Sequence, residues 1–292
     1  MTERVYRRAT TLLFMKWSQH TIYGENIDIM RWLIAWACLL HMPFGLTENK
    51  AHPPPQINAQ KTIEVAIIID DMGYSKKRGL VAINIPGKLT YAFIPNSPNA
   101  RFLADEANKR DKEIILHAPM SNVHNYPVGR SGLTEVMDKD TFTHALNSAI
   151  ESIPHISGMN NHMGSLLTQK RLPMKWTMET LDARGLYFID SRTTSHSVAW
   201  LTAQHNNVPS LKRDIFLDHK RETKFIAGQF EQLVRLAKRK GYAIAIAHPY
   251  PETLSYLQQH IHRLADEGIT LVSASSLVNK YSPNRRQVQA KM

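Results

Sequence analysis

Eight short apolar runs recur along this chain, at residues 63–69, 89–94, 113–116, 156–159, 186–189, 210–212, 242–247 and 269–272. Strings such as VAIII and YAIAIA are apolar without alternation, the pattern of strands covered on both faces. Between the runs, apolar residues return at helical spacing over residues 99–110, 139–152, 174–184, 222–240 and 251–267. Gly185, Gly241 and Gly268 stand where three of these patterns end, as expected of left-handed helix caps that hand over to a strand. Strands alternating with helices imply an α/β fold with a parallel sheet. Over about 220 residues, a distorted (β/α) barrel of seven or eight parallel strands fits the count better than an open sheet.

A parallel barrel gathers its chemistry at the C-terminal ends of its strands. Asp70 and Asp71 follow the first run, His117 the third, Asn160, Asn161 and His162 the fourth, Asp190 the fifth, Arg213 and Asp214 the sixth, and His248 the seventh. Each has a plain structural alternative: the Asp pair or Asp190 as a helix cap, His117 as a satisfied core histidine, His248 as part of a turn before Pro249. Together they place imidazole and carboxylate on one rim, the donor set of a divalent metal site.

The ends of the chain carry different information. From Met30 a single Arg31 is followed by nine apolar residues, Trp32 to Leu40, and then a polar stretch with small residues. A membrane span needs about 20 such residues, so residues 30–47 are expected to be a secretory signal peptide and the protein to be exported and periplasmic rather than membrane-tethered. Met30 is the expected true start. Cys38, the single cysteine, would leave with the signal. Residues 48–61, with Pro53, Pro54 and Pro55, are expected to be an extended linker. Residues 62–281 form the expected domain, and 282–292 a basic tail. The composition, 43% hydrophobic and 21% charged, excludes disordered, collagenous and disulfide-scaffold classes. A net charge of +11 suits loose association with an anionic cell envelope. Nucleic acid is not an expected partner: Lys76-Lys77-Arg78 and Lys238-Arg239-Lys240 have the pattern of solvated helix faces, without interleaved aromatics.

The segments IEVAIIIDDMGY, KEIILHAPM, GMNNHMGS, LYFIDSRTT, RDIFLD and AIAIAHPYPETL, in this order, resemble the divergent polysaccharide deacetylase family over residues 63–277. The family is related to metal-dependent carbohydrate esterases that remove acetyl groups from N-acetylated sugars on a distorted (β/α) barrel. The resemblance implies Asp70 as general base, Asp71 and His117 as metal ligands and His248 as general acid. The related enzymes carry a second histidine four residues after the first; Ser121 stands there, so His162, which follows the next strand, is taken as the third ligand, with His124 as the fallback. Asp190 and the Arg213-Asp214 pair would orient the histidines. The implied cofactor is a divalent metal, zinc by donor type, and the implied partner a polysaccharide or N-acetylated sugar.

Other classes explain less. A glycosidase would draw its acid and base from Asp70, Asp71, Asp190, Asp214 and Asp218, leaving His117, His162 and His248 without a task. No G-x-S-x-G elbow is present for a serine hydrolase. The main alternative is a non-catalytic envelope protein that keeps a sugar- or metal-binding pocket.

Overall fold

The computed structural model describes residues 62–283; the signal peptide, Cys38, the linker and most of the basic tail lie outside them. The chain runs through β1 (Ile63–Met72), α1 (Lys76–Ile83), β2 (Thr90–Phe93), α2 (Ala100–Asn108), β3 (Glu113–Met120), α3 (Lys139–Ser152) and β4 (Ile156–Met163). It continues through α4 (Arg171–Arg184), β5 (Tyr187–Asp190), α5 (Ala199–His205), β6 (Ser210–Lys212), β7 (Ile215–Phe216) and α6 (Thr223–Lys240). β8 (Tyr242–Ala247), α7 (Pro251–His260), α8 (Arg263–Asp266), β9 (Ile269–Leu271) and α9 (Ala274–Tyr281) complete it. Among the described residues no helix is long and apolar enough to cross a membrane.

Eight parallel strands follow the order β6-β5-β4-β3-β2-β1-β8-β7, and β9 pairs with the start of β1. The two outermost strands, β6 and β7, are consecutive in the chain. Between them Arg213 donates its N–H to Asp190 O on β5, while Asp214 donates to Ile244 O on β8, each at 2.9 Å. The chain itself therefore bridges the seam of a curled sheet, the expected distorted barrel. α9 covers the opposite mouth: Ala274 N–H donates to Thr90 Oγ1 at 3.0 Å, and Ser275 N–H to the Glu113 carboxylate at 3.2 Å.

Successive residues of a strand face opposite sides, and the core divides accordingly. Val65, Ile67 and Ile69 of β1 pack outward under the helices. Ala66 and Ile68 point into the barrel with Ile115, Tyr187, Ile189, Ile244, Ile246 and the α9 residues Leu277 and Val278. Both sets are fully buried, which is why VAIII is apolar at every position. Gly185 and Gly241 end α4 and α6 at φ 66° and 89°, left-handed values that suit glycine.

The predicted strand starts lie within one residue of those observed, but β1, β3 and β4 run three to four residues beyond the predicted ends. The two-residue β7 and helices α1, α5 and α9 were not predicted, and the helix expected at 251–267 breaks after His260. Ser282, assigned by sequence to the tail, is buried and accepts the Ser210 N–H at 2.9 Å, so it belongs to the domain.

Candidate metal centre

The inward rows of the barrel end in polar residues at one mouth. Ala66 and Ile68 lead to Asp70, Ile115 to His117, Gly158 to Asn160 and His162, and Ile244 and Ile246 to His248. Asp71 would face outward in a regular strand. A bulge alters this: the three-residue step from Ile69 to Met72 is set against the two-residue step from Tyr91 to Phe93 on β2. Asp71 takes φ 55° in the bulge, and both adjacent carboxylates turn toward the same histidine. Bulges re-aim side chains in this way.

Three ligand atoms converge there. Asp71 Oδ1 lies 3.3 Å from His117 Nε2 and 2.9 Å from His162 Nδ1, and the two ring nitrogens are 3.2 Å apart. Atoms about 2.0–2.2 Å from one tetrahedral ion stand roughly 3.3–3.5 Å from each other, so the triangle matches such a face to within a few tenths of an ångström. Asp71 Oδ1 is buried and faces these two ring nitrogens, as a carboxylate oxygen that shares a cation with them would. Asn160 fixes the arrangement: its Oδ1 lies 2.6 Å from His117 Nδ1 and its Nδ2 donates to Asp70 Oδ1 at 2.7 Å. The carbonyl oxygen can only accept, so His117 carries its proton on Nδ1 and turns the Nε2 lone pair toward Asp71.

The electrostatics separate the two carboxylates. Burial raises Asp70 above the ordinary carboxylate range, against the pull of His117, His248 and the Asn160 hydrogen bond. Burial also opposes charge on Asp71, but the facing imidazoles of His117 and His162 together outweigh it and hold the carboxyl far below that range. His117 is disfavoured as a cation by burial, yet Asp70 and Asp71 raise it.

His248 completes the arc. Its Nε2 is 3.9 Å from Asp71 Oδ2, and its Nδ1 is 2.9 Å from Asp218 Oδ1. Asp218 also accepts the His248 N–H at 2.7 Å and the Thr253 hydroxyl at 2.8 Å, which locks ring and backbone together. Burial pushes the imidazole down, but Asp218, and then Asp71 and Asp70, raise it.

Of the predicted site residues, Asp70, Asp71, His117, His162 and His248 meet at this mouth. Asp190 and Asp214 do not contact the histidines. Asp190 accepts from Arg192 N–H and Ser197 Oγ, each at 2.8 Å, and so ties the loop that leads into α5. Asp214 pairs with Lys240 at 3.0 Å and accepts the Ile244 N–H at 3.0 Å, four residues short of His248 along β8. Arg213 donates to the Ser191 and Arg192 carbonyls. The fallback ligand His124 is exposed beside Tyr126 and outside the cluster, and Ser121 donates to Glu135 at 2.5 Å. The orienting groups are instead Asn160 and Asp218. Asn160 was visible as a strand-end residue, and Asp218 would have been had Ile215-Phe216 been recognised as a strand.

The family model of the divergent polysaccharide deacetylases matches residues 67–278. The chain belongs to this family. Among relatives, it is 37% identical over 217 residues to the uncharacterized protein YibQ of Escherichia coli K12, covering 74% of this chain and 68% of that one. It is 36% identical over 214 residues to an uncharacterized protein of Haemophilus influenzae, covering 73% and 76%. The solved structure of the uncharacterized protein ATU2773 from Agrobacterium tumefaciens C58 superposes with a TM-score of 0.71 at 23% identity, over 74% of this chain and 89% of that one. The deacetylase-family barrel is thus shared with a solved structure, and Asp71, His117 and His162 all lie inside the family match.

Proposed function

We propose that the protein is an exported hydrolase that removes acetyl groups from an N-acetylated polysaccharide or sugar of the cell envelope, with a divalent metal, zinc by donor type, held by Asp71, His117 and His162. The observation that carries this is the triangle of one carboxylate oxygen and two imidazole nitrogens with Asp70 and His248 beside it. Two nitrogens and one oxygen suit zinc. A bound ion of this kind would supply positive charge that polarises an acetamide carbonyl and acidifies water.

The chain's own residues would do the rest. Asp70, buried beside the ligand set and held by the Asn160 amide at 2.7 Å, takes the proton of the attacking water. His248, whose protonated form Asp218 favours, gives a proton to the amine as the C–N bond breaks, so that water and acetamide become acetate and free amine. Asn160 links base and ligand through one amide, holding Asp70 and His117 in fixed relation. The sequence from Met30 to Leu40 supports export, and the positive net charge supports residence near anionic polymers.

The non-catalytic alternative draws on Ser121, which fills the place of the usual second histidine. His162 supplies a third donor atom from the neighbouring strand, which favours the catalytic reading. The test is the metal content of the full chain purified without chelator, beside His117→Ala and His162→Ala, followed by acetate release from an N-acetylglucosamine oligomer. About one ion per chain, lost in both variants, with metal-dependent acetate release is the expected result. A folded wild-type protein that holds no metal and takes up no added zinc would overturn the proposal.

A further inference from the structure

Beside the metal triangle the structure has a cavity of about 120 Å³ that opens off Asp71 and lies between the β1–α1 turn and the turn after β8, with Tyr74, Arg78 and Tyr250 in its walls. The first turn of α1 is Lys76-Lys77-Arg78, without an acidic residue. Cations there oppose the helix dipole, which favours negative charge at an N-terminus. A local rule broken in this way, next to a cavity, asks for a compensating anion.

The three cations are not equivalent. Lys76 Nζ sits 4.2 Å over the Phe102 ring, on the side of α2. Arg78 has its backbone N–H capped by Ser75 Oγ at 3.3 Å, and its guanidinium has no ion pair or hydrogen bond among the described residues. A second guanidinium, Arg221, lies 3.7 Å over the ring of Tyr250. The cavity therefore offers the solvent-exposed guanidinium of Arg78 at its rim and aromatic walls from Tyr74 and Tyr250, while the carboxylate at its inner edge, Asp71, already faces two histidines.

Resting on the deacetylase reading above, we infer that this cavity is a subsite for an anionic substituent of the substrate, and that the protein acts on an acidic N-acetylated glycan rather than a neutral one. Arg78 pairs with a carboxylate or phosphate, whose geometry its fork matches, and Tyr74 and Tyr250 hold the attached carbon skeleton. Arg78 is a specificity residue and takes no part in bond breaking.

The experiment measures binding of the zinc-loaded full chain to three tetrasaccharides of N-acetylglucosamine type: the neutral oligomer, one carrying lactyl carboxylates on alternate sugars, and one carrying 6-phosphates. Acetate release from each is followed in parallel. The wild type should bind at least one anionic oligomer about tenfold more tightly than the neutral one, with a preference that shrinks as salt is raised. Arg78→Ala should abolish that preference and leave neutral binding and neutral acetate release unchanged; Arg78→Lys should retain part of it, and Arg78→Glu should reverse it. Equal binding of all three oligomers, no binding of any, or an anionic preference that survives Arg78→Ala overturns the inference. The two readings fail separately: acetate release without an Arg78-dependent preference removes only the subsite, and an Arg78-dependent preference without acetate release removes only the catalysis.

Discussion

The 2.6 Å contact between Asn160 Oδ1 and His117 Nδ1 decides which nitrogen of the histidine faces Asp71. Without it the ring is free to turn or to place its proton on Nε2. Groups that orient a ligand in this way typically account for 10- to 100-fold in metal affinity, so Asn160→Ala should weaken zinc binding by about that factor. Competition against a chromogenic chelator measures it, and a variant within twofold of wild type would show that Asn160 does not set the tautomer. Asn160→Asp should do worse than alanine, since it sets a second carboxylate where Nδ2 now donates to Asp70 at 2.7 Å.

Asp71 combines its proposed ligand role with a left-handed backbone, and the two can be separated. Its φ of 55° is one that Asn tolerates and Ala does not. Asp71→Asn should lose metal and also the stabilisation that the ionised carboxylate draws from His117 and His162 in the metal-free protein. Asp71→Ala should lose metal and about 1 kcal/mol more, the cost of a left-handed β-carbon. Equal stabilities for the two metal-free variants in urea would place the strain elsewhere.

Much of this site was legible because strand ends and chemistry coincide. The aliphatic rows could be followed residue by residue to Asp70, His117 and His248. The strand lengths could not, because polar residues inside a barrel look like loop residues: His117, Ala118, Pro119 and Met120 still pair with Asn160, Asn161, His162 and Met163, although only the aliphatic part was predicted as strand. The same ambiguity misassigned Asp214. It and Asp218 flank the two-residue β7, and nothing in RDIFLD says which end faces the histidines. The bulge at Asp71 was equally hidden, since two adjacent aspartates in a regular strand would face opposite ways.

Asp218 sets the proton on His248, and this has a pH signature. Burial alone would lower the histidine, while Asp218, Asp71 and Asp70 raise it. Deacetylation that needs protonated His248 should fall as pH rises through this raised value. Asp218→Asn removes the leading source of the rise, so the alkaline limb should move to lower pH, with kcat reduced in the plateau. An unmoved limb would assign it to another group. Stability carries the same sign: a histidine raised on folding contributes stability that is fully present below its unfolded pKa of about 6.5 and is lost as pH rises through the folded value. Metal-free wild type should therefore lose more stability between pH 6 and 9 than metal-free Asp218→Asn, as denaturant midpoints would show.

Gly158 tests the inward row itself. A β-carbon there would lie 2.6 Å from Cε1 and Cζ of Tyr187, a fully buried ring that packs in the barrel interior with Ile115 and Ile189. The ring is rigid and enclosed, so it can yield only by displacing its neighbours, and overpacking of this kind costs about 1–3 kcal/mol. For a domain of this size Gly158→Ala should lower Tm by roughly 3 to 10 °C. Asn160 and His162 stand two and four residues farther along the same row, so the strain should also reach the metal triangle and weaken zinc binding, although no donor atom has been changed. A variant with wild-type Tm would mean that Tyr187 has room to move and that the barrel interior is looser than its burial indicates.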